Sequence, residues 1–119
     1  MDHMLYNLKK LEEIAQGDDN FVRDMVITFV ENVSADIDSI HLLTYMNKWT
    51  DIAETAHKLA SNFAYLGADQ LHALAADIEK SVLNDNNLTD VAEKTEKMCN
   101  DGTLLIRQLK EKFDIVASN

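Results

Sequence analysis

The chain has 119 residues, 46% of them hydrophobic, with no proline, three glycines and a single cysteine. That suits one domain with one core and excludes an intrachain disulfide. Its net charge of −10, from 21 acidic and 11 basic residues, disfavours nucleic acid over most of the surface and fits a protein partner with a basic or apolar docking face, although solubility alone makes many domains acidic.

No apolar run approaches ~20 residues, and the N-terminus lacks the basic-then-apolar pattern of a signal peptide. No membrane contact is therefore expected, and a single unpaired cysteine points to a reducing, cytoplasmic setting. Few helix breakers and abundant Ala, Leu, Glu, Lys and Asp argue for long helices. Residues 1–6 carry little pattern and are expected to be a frayed terminus or an expression remnant, with no role for His3. Asn7 is placed to cap a short helix with Leu8, Leu11, Ile14 and Ala15 on one face, ended at Gly17. Asp18-Asp19-Asn20 supplies the next N-cap and puts acidic charge at the positive helix end. Val22, Met25, Val26, Phe29, Val33, Ile37 and Ile40 then keep a three-and-four spacing over about seven turns, which predicts a helix to roughly Tyr45.

Asn47-Lys48-Trp49-Thr50 forms the connection, with Thr50 as the expected cap and Trp49 sealing a corner of the core. The third long pattern carries Ile52, Ala56, Leu59, Phe63 and Leu66 in one apolar stripe and breaks at Gly67-Ala68. Leu71, Leu74, Ala75, Ile78 and Val82 mark the next helix, which a tight turn at Gly67 makes antiparallel to its predecessor. Asn84 through Asn87 read as a loop, and Thr89 or Asn87 as the cap of a last helix. That helix carries Val91, Thr95, Met98, Gly102, Leu105, Leu109 and Phe113. Gly102 costs about 1 kcal/mol against alanine there, so either a close helix contact or a local break is expected. The fold class is all-α, an antiparallel four-helix bundle with a short additional N-terminal helix capping one end, in a single domain over residues 1–119.

One side chain does not serve the core. At about 100° per residue, His57 points roughly 140° from the middle of its helix's stripe and reaches solvent. Its helical neighbours Ala53, Ala60, Ser61 and Ala64 are too short to cover the ring, so a large partner can approach it closely. An imidazole has an ordinary pKa of about 6.5 and keeps a lone pair at neutral pH, which makes it a competent nucleophile. Phosphoryl transfer asks for little beyond positioning and charge neutralisation, both of which a partner carrying the metal ion and the donor carboxylate can supply. On geometry alone the competing reading is a surface histidine without a task.

Glu54-x-x-His57, Asp38-x-x-His41 and Asp69-x-x-His72 share the Glu-x-x-His spacing of di-iron bundles. An outward His57 makes them surface pairs, and no metal site is expected. His41 and His72 flank apolar positions and read as boundary residues; Cys99 reads as structural or merely tolerated, and Met25, Met46 and Met98 as core filler. Glycine-rich phosphate loops, nucleophile elbows and zinc spacings are absent.

Ala56-His57-x-Leu59, then Gly67-Ala68 ten and eleven positions past the histidine, then Leu71, Ala75 and Ile78-Glu79, resembles the histidine-containing phosphotransfer domains of multistep phosphorelays. Upstream, Leu8 to Leu11, Ile14, Gly17-Asp18, Phe21 and Phe29 is similar to that family's opening, so the resemblance covers nearly the whole chain. It implies a helical bundle whose exposed histidine, here His57, accepts phosphate from a receiver-domain aspartate and passes it to another receiver. It further implies response-regulator receiver domains and a hybrid sensor histidine kinase as partners, and a monomeric carrier rather than an enzyme with its own substrate pocket. No cofactor is expected on this chain, with Mg²⁺ in the receiver. Glu54, Lys58, Ala60, Ser61 and Ala64 are the supporting and docking candidates, and Gly67 the structural turn. The family usually has lysine three residues after the histidine and glycine four after it, where this chain has Ala60 and Ser61. Lys58 is expected to pair with Glu54 at i−4, although its long side chain could bend toward a bound phosphate. Two alternatives remain: a helical interaction module docking on receivers or kinases without phosphoryl chemistry, and a metal-binding bundle.

Overall fold

The apolar stripes resolve into five helices: α1 (Lys9–Ala15), α2 (Asp19–Tyr45), α3 (Trp49–Tyr65), α4 (Asp69–Asn84) and α5 (Leu88–Phe113). They are seen in a computed structural model that describes residues 4–84 and 88–115. α2 packs on α3, α3 on α4, α4 on α5 and α5 back on α2, which closes the expected antiparallel bundle, while α1 lies against α2. The stripes meet inside: Val26, Val33, Ile40, Ile52, Leu59, Phe63, Ile78, Met98, Leu105 and Leu109 are all fully buried. Among the described residues no buried side-chain nitrogen or oxygen lacks a hydrogen-bond partner.

Helix ends explain the differences from expectation. Asp18 caps α2 as anticipated, its Oδ1 accepting from the Phe21 N–H at 3.1 Å. α1 begins one residue later than anticipated, with Leu8 at the cap position and the Asn7 side chain accepting from the Lys9 N–H at 3.0 Å. Three C-termini share one device, a left-handed residue followed by an N–H that donates to the carbonyl five residues back. Lys48 N–H donates to the Leu43 carbonyl at 3.0 Å across Asn47, whose φ is 56°. Ala68 N–H donates to the Phe63 carbonyl at 2.9 Å across Gly67, φ 63°. Ile115 N–H does the same to the Lys110 carbonyl across Asp114. So tight a junction between α2 and α3 leaves no room for a separate cap at Thr50: Lys48 takes the cap position without a side-chain bond, and Thr50 already lies inside the first turn. Asn87 is outside the described residues, and Thr89 sits in the first turn of α5.

The N-terminal segment also differs. Residues 1–3 lie outside the described part, but Leu5 and Tyr6, expected to fray, pack against the core. Leu5 N–H donates to Gln108 Oε1 at 2.8 Å and Asn7 N–H to the Leu66 carbonyl at 3.0 Å. Ile14, expected on the inner face of α1, is 49% exposed because so short a helix buries little beyond Leu11. Gly102 belongs to a close contact and not a break: α5 runs through it, and a Cβ there would lie 2.6 Å from Ile37 Cδ1.

Gly67 is the position where the turn requires glycine. A side chain would have to adopt a left-handed backbone and would overlap the Asn7 carbonyl oxygen. Gly67→Ala should therefore lose about 2–3 kcal/mol in urea unfolding, combining left-handed strain with a backbone clash, whereas Gly17→Ala should lose only about 1 kcal/mol. At Gly17 the backbone is left-handed too, but nothing lies within 4 Å of the added carbon.

Cys99 is buried, and desolvation, helped by the charge of Asp38, pushes its thiol up to about 11. At about pH 8 only ~0.1% would be thiolate, so a maleimide should leave the folded protein unmodified and label it fully once guanidinium unfolds it. Rapid labelling of the folded protein would place Cys99 outside the core.

Candidate functional site

His57 rises from the middle of α3, opposite the buried Leu59 and Phe63, with its side chain 67% exposed. Its Nδ1 lies 3.1 and 3.2 Å from the two carboxylate oxygens of Glu79 on α4. A carboxylate can only accept, so Nδ1 carries the proton and donates. In the neutral ring the lone pair then resides on Nε2, on the side of the imidazole away from α4. Glu79 is 29% exposed and held by a helix whose next residue inward, Ile78, is fully buried. The ring is thus oriented by a neighbour anchored in the core, with two-thirds of the side chain left open to solvent.

The surroundings sort the expected site residues. Ser61 is exposed, and its hydroxyl donates to the His57 carbonyl at 3.4 Å, so it stays down on its own helix. Ala64 is half-buried one turn further on, and Glu54 is exposed one turn back. Ala60, expected on the docking face, is instead only 7% exposed. It lies in the α3–α4 seam, where its carbonyl accepts from His72 Nδ1 at 2.8 Å. Lys58 does not pair with Glu54. Its ammonium lies 3.5 Å from Asp36 on α2, because α2 packs alongside and offers a carboxylate that is only 15% exposed. Gly67 lies in the α3–α4 turn with φ 63°.

On the flank of His57 opposite Glu79, α2 and α3 enclose a shallow cleft of about 460 Å³ lined by Asn32, Ala35, Asp36, His57, Lys58, Ser61 and Asn62. Two turns along the same face of α3, Tyr65 stacks on Phe29 of α2, ring centroids 5.4 Å apart, with the Lys10 ammonium 4.8 Å from the Tyr65 ring. Among the described residues no three of His, Cys, Asp and Glu converge as a metal-ligand set, and no helix is long and apolar enough to cross a membrane. Among the described residues the arrangement offers one nucleophilic nitrogen on an approachable surface, with a carboxylate behind the ring and a single cation in the adjoining cleft.

A family model described as Hpt domain matches residues 24–117. The chain belongs to the Hpt domain family. Its function is histidine phosphotransfer in a phosphorelay, as a phosphocarrier module. The fold is also that of a solved structure, the crystal structure of the HPT domain from the Hpt sensor hybrid histidine kinase from Shewanella. The two superpose with a TM-score of 0.80 at 16% identity, over 96% of this chain and 97% of that one. No curated protein matches the sequence.

Two residues of this Hpt domain were given no part by the sequence reading. Glu79 entered only as part of a motif, and Asp36 was not singled out. The register of the α3–α4 hairpin carried a signal for the first: His57 stands ten residues before Gly67 and Glu79 twelve after it, which puts both at the same height on facing helices. If Glu79 sets the tautomer, long-range ¹H–¹⁵N spectra of the wild type at neutral pH should show His57 Nδ1 protonated and Nε2 bare. In Glu79→Ala the ring should relax to the tautomer mixture of a free imidazole. An unchanged ¹⁵N pattern in that variant would mean that the carboxylate does not fix the ring.

Proposed function

We propose that His57 is the phosphoryl acceptor and donor of this Hpt domain, taking the group from the aspartyl phosphate of one response-regulator receiver domain and giving it to another. One of those receivers would be part of a hybrid sensor histidine kinase. The observation that supports this most directly is the pairing of Nδ1 with Glu79, which leaves Nε2 with its lone pair on a ring 67% exposed.

The step balances without a proton changing hands. The Nε2 lone pair forms the N–P bond as the bond between phosphorus and the aspartyl oxygen breaks, and the carboxylate leaves with that electron pair. Nδ1 keeps its proton, so the phosphorylated ring is an imidazolium whose charge faces the Glu79 carboxylate, a charge-assisted hydrogen bond stronger than the neutral one before it. In the return step a second receiver's carboxylate attacks phosphorus and the pair returns to Nε2. Mg²⁺ bound by the receiver, and not by this chain, would neutralise the phosphoryl oxygens during transfer. This chain supplies the nucleophile, its orientation and an uncovered approach. The docking face would be the His57 side of α3 with the adjoining α2 surface, including Glu54, Lys58, Ser61 and Ala64.

Incubation with receiver domains charged by acetyl phosphate should add one phosphate to the intact mass, labile to acid and absent from His57→Gln. A folded protein that binds a receiver yet takes no phosphate from it would favour an interaction module that docks without phosphoryl chemistry.

A further inference from the structure

Among the described residues Lys58 is the only cation lining the cleft beside His57, and it is already engaged. Its partner Asp36 is 15% exposed and lines the same cleft, so a carboxylate stands beside the site where a phosphoryl dianion would arrive. The pair is loose at 3.5 Å, and Lys58 keeps 63% of its side chain exposed. An ammonium on a flexible four-carbon stem, loosely held at one end of an open cleft, can be shared between two anions. Beyond these two and His57, the cleft wall among the described residues is uncharged: Asn32, Ser61 and Asn62 are polar and Ala35 is apolar.

Resting on the reading of His57 as the phosphoacceptor, we propose that Asp36 is a positioning residue that acts through Lys58. By competing for the ammonium, it limits the positive charge that a phosphoryl group on Nε2 receives and so keeps the phosphohistidine short-lived and ready to transfer. The sign follows from the transition state. Phosphohistidine cleaves loosely, the phosphoryl going from a dianion toward metaphosphate, which carries one negative charge. A cation nearby therefore stabilises the bound phosphoryl more than the transition state and slows its loss. Asp36 withholds part of that cation. Removing the Asp36 charge releases Lys58 to the phosphoryl oxygens and lengthens the life of the modified ring.

The test needs no partner. The 119-residue protein is phosphorylated with phosphoramidate, a small-molecule donor to imidazole nitrogen, and the decay of the ³¹P resonance that is absent from His57→Gln is followed after the donor is removed. Asp36→Asn should lengthen the half-life about threefold to fivefold, the scale of one partly screened charge, and Lys58→Ala should shorten it by a similar factor. The double variant should decay like Lys58→Ala alone, since Asp36 then has nothing to withhold, and Asp36→Glu should restore the wild-type rate. A packing role for Asp36 would move none of these rates in that pattern. A half-life in Asp36→Asn equal to or shorter than wild type overturns the proposal, as does a lengthening that persists in the Lys58→Ala background. A wild type with no resonance assignable to His57 overturns the carrier reading itself, an outcome distinct from a labelled His57 that ignores Asp36.

Discussion

The register between α3 and α4, set where the chain turns at Gly67, is the constraint on which the site depends. Gly67 takes a left-handed conformation with the Asn7 backbone packed against the place where a Cβ would stand, and the Asn7 N–H holds the Leu66 carbonyl on the same turn. Two contacts across the seam follow from that register: His72 on the Ala60 carbonyl near the turn, and Glu79 on His57 further up. A slip of one residue would move Glu79 by about 1.5 Å along α4 and about 100° around it, enough to separate it from the ring. A residue without a side chain thus decides, ten positions away, which nitrogen of an imidazole holds the proton. The tie to residues 5–7 also explains why that segment is ordered onto the core.

Stability and chemistry are divided between opposite faces of one helix. Ile52, Ala56, Leu59 and Phe63 are fully buried, and burial of such side chains contributes roughly 1.5–3 kcal/mol each for the larger ones. The contacts on the other face are exposed or half-exposed ion pairs, which contribute between nothing and about 1 kcal/mol apiece. If transfer runs through His57 as proposed, substitutions around it can alter transfer without threatening the bundle. The same division leaves a shallow cleft beside the histidine among the described residues. A carrier that passes a group between larger proteins gains nothing from enclosing it, and small residues such as Ser61 and Ala64 keep the approach clear.

Much of this was legible in the sequence because helix periodicity is a local property. The stripes of α2 to α5 predicted the bundle, and the angle of His57 to its own stripe predicted its exposure without knowledge of any other helix. Contacts between helices were harder. Lys58 has Glu54 at the favourable i−4 position, yet it reaches Asp36, because the packing of α2 against α3 brings a less solvated carboxylate within range of its stem. Ala60 follows His57 by three residues and shares much of its face, but the width of the α3–α4 seam, invisible in the periodicity of α3, buries it. Thr50 is the better capping residue by chemistry, and the left-handed turn at Asn47 overrode that preference by starting α3 early.

Reversibility gives these placements a common physical sense. A relay intermediate must hold its phosphoryl group firmly enough to be charged by one partner and weakly enough to be discharged by the next, so its stabilisation has to stay modest and divided. On the proposed role of His57, Glu79 serves the ring: it faces Nδ1 and would favour the imidazolium formed by phosphorylation, and it is far enough round the imidazole to leave Nε2 clear. Burying that contact would strengthen it but would also cover the ring, and 29% exposure of Glu79 with 67% exposure of His57 is the compromise the α3–α4 seam provides. On the same reading, a phosphoryl group on Nε2 would be served by a cation already shared with Asp36. A lysine with no such tether would neutralise the dianion more completely and deepen the well from which the next receiver has to draw it.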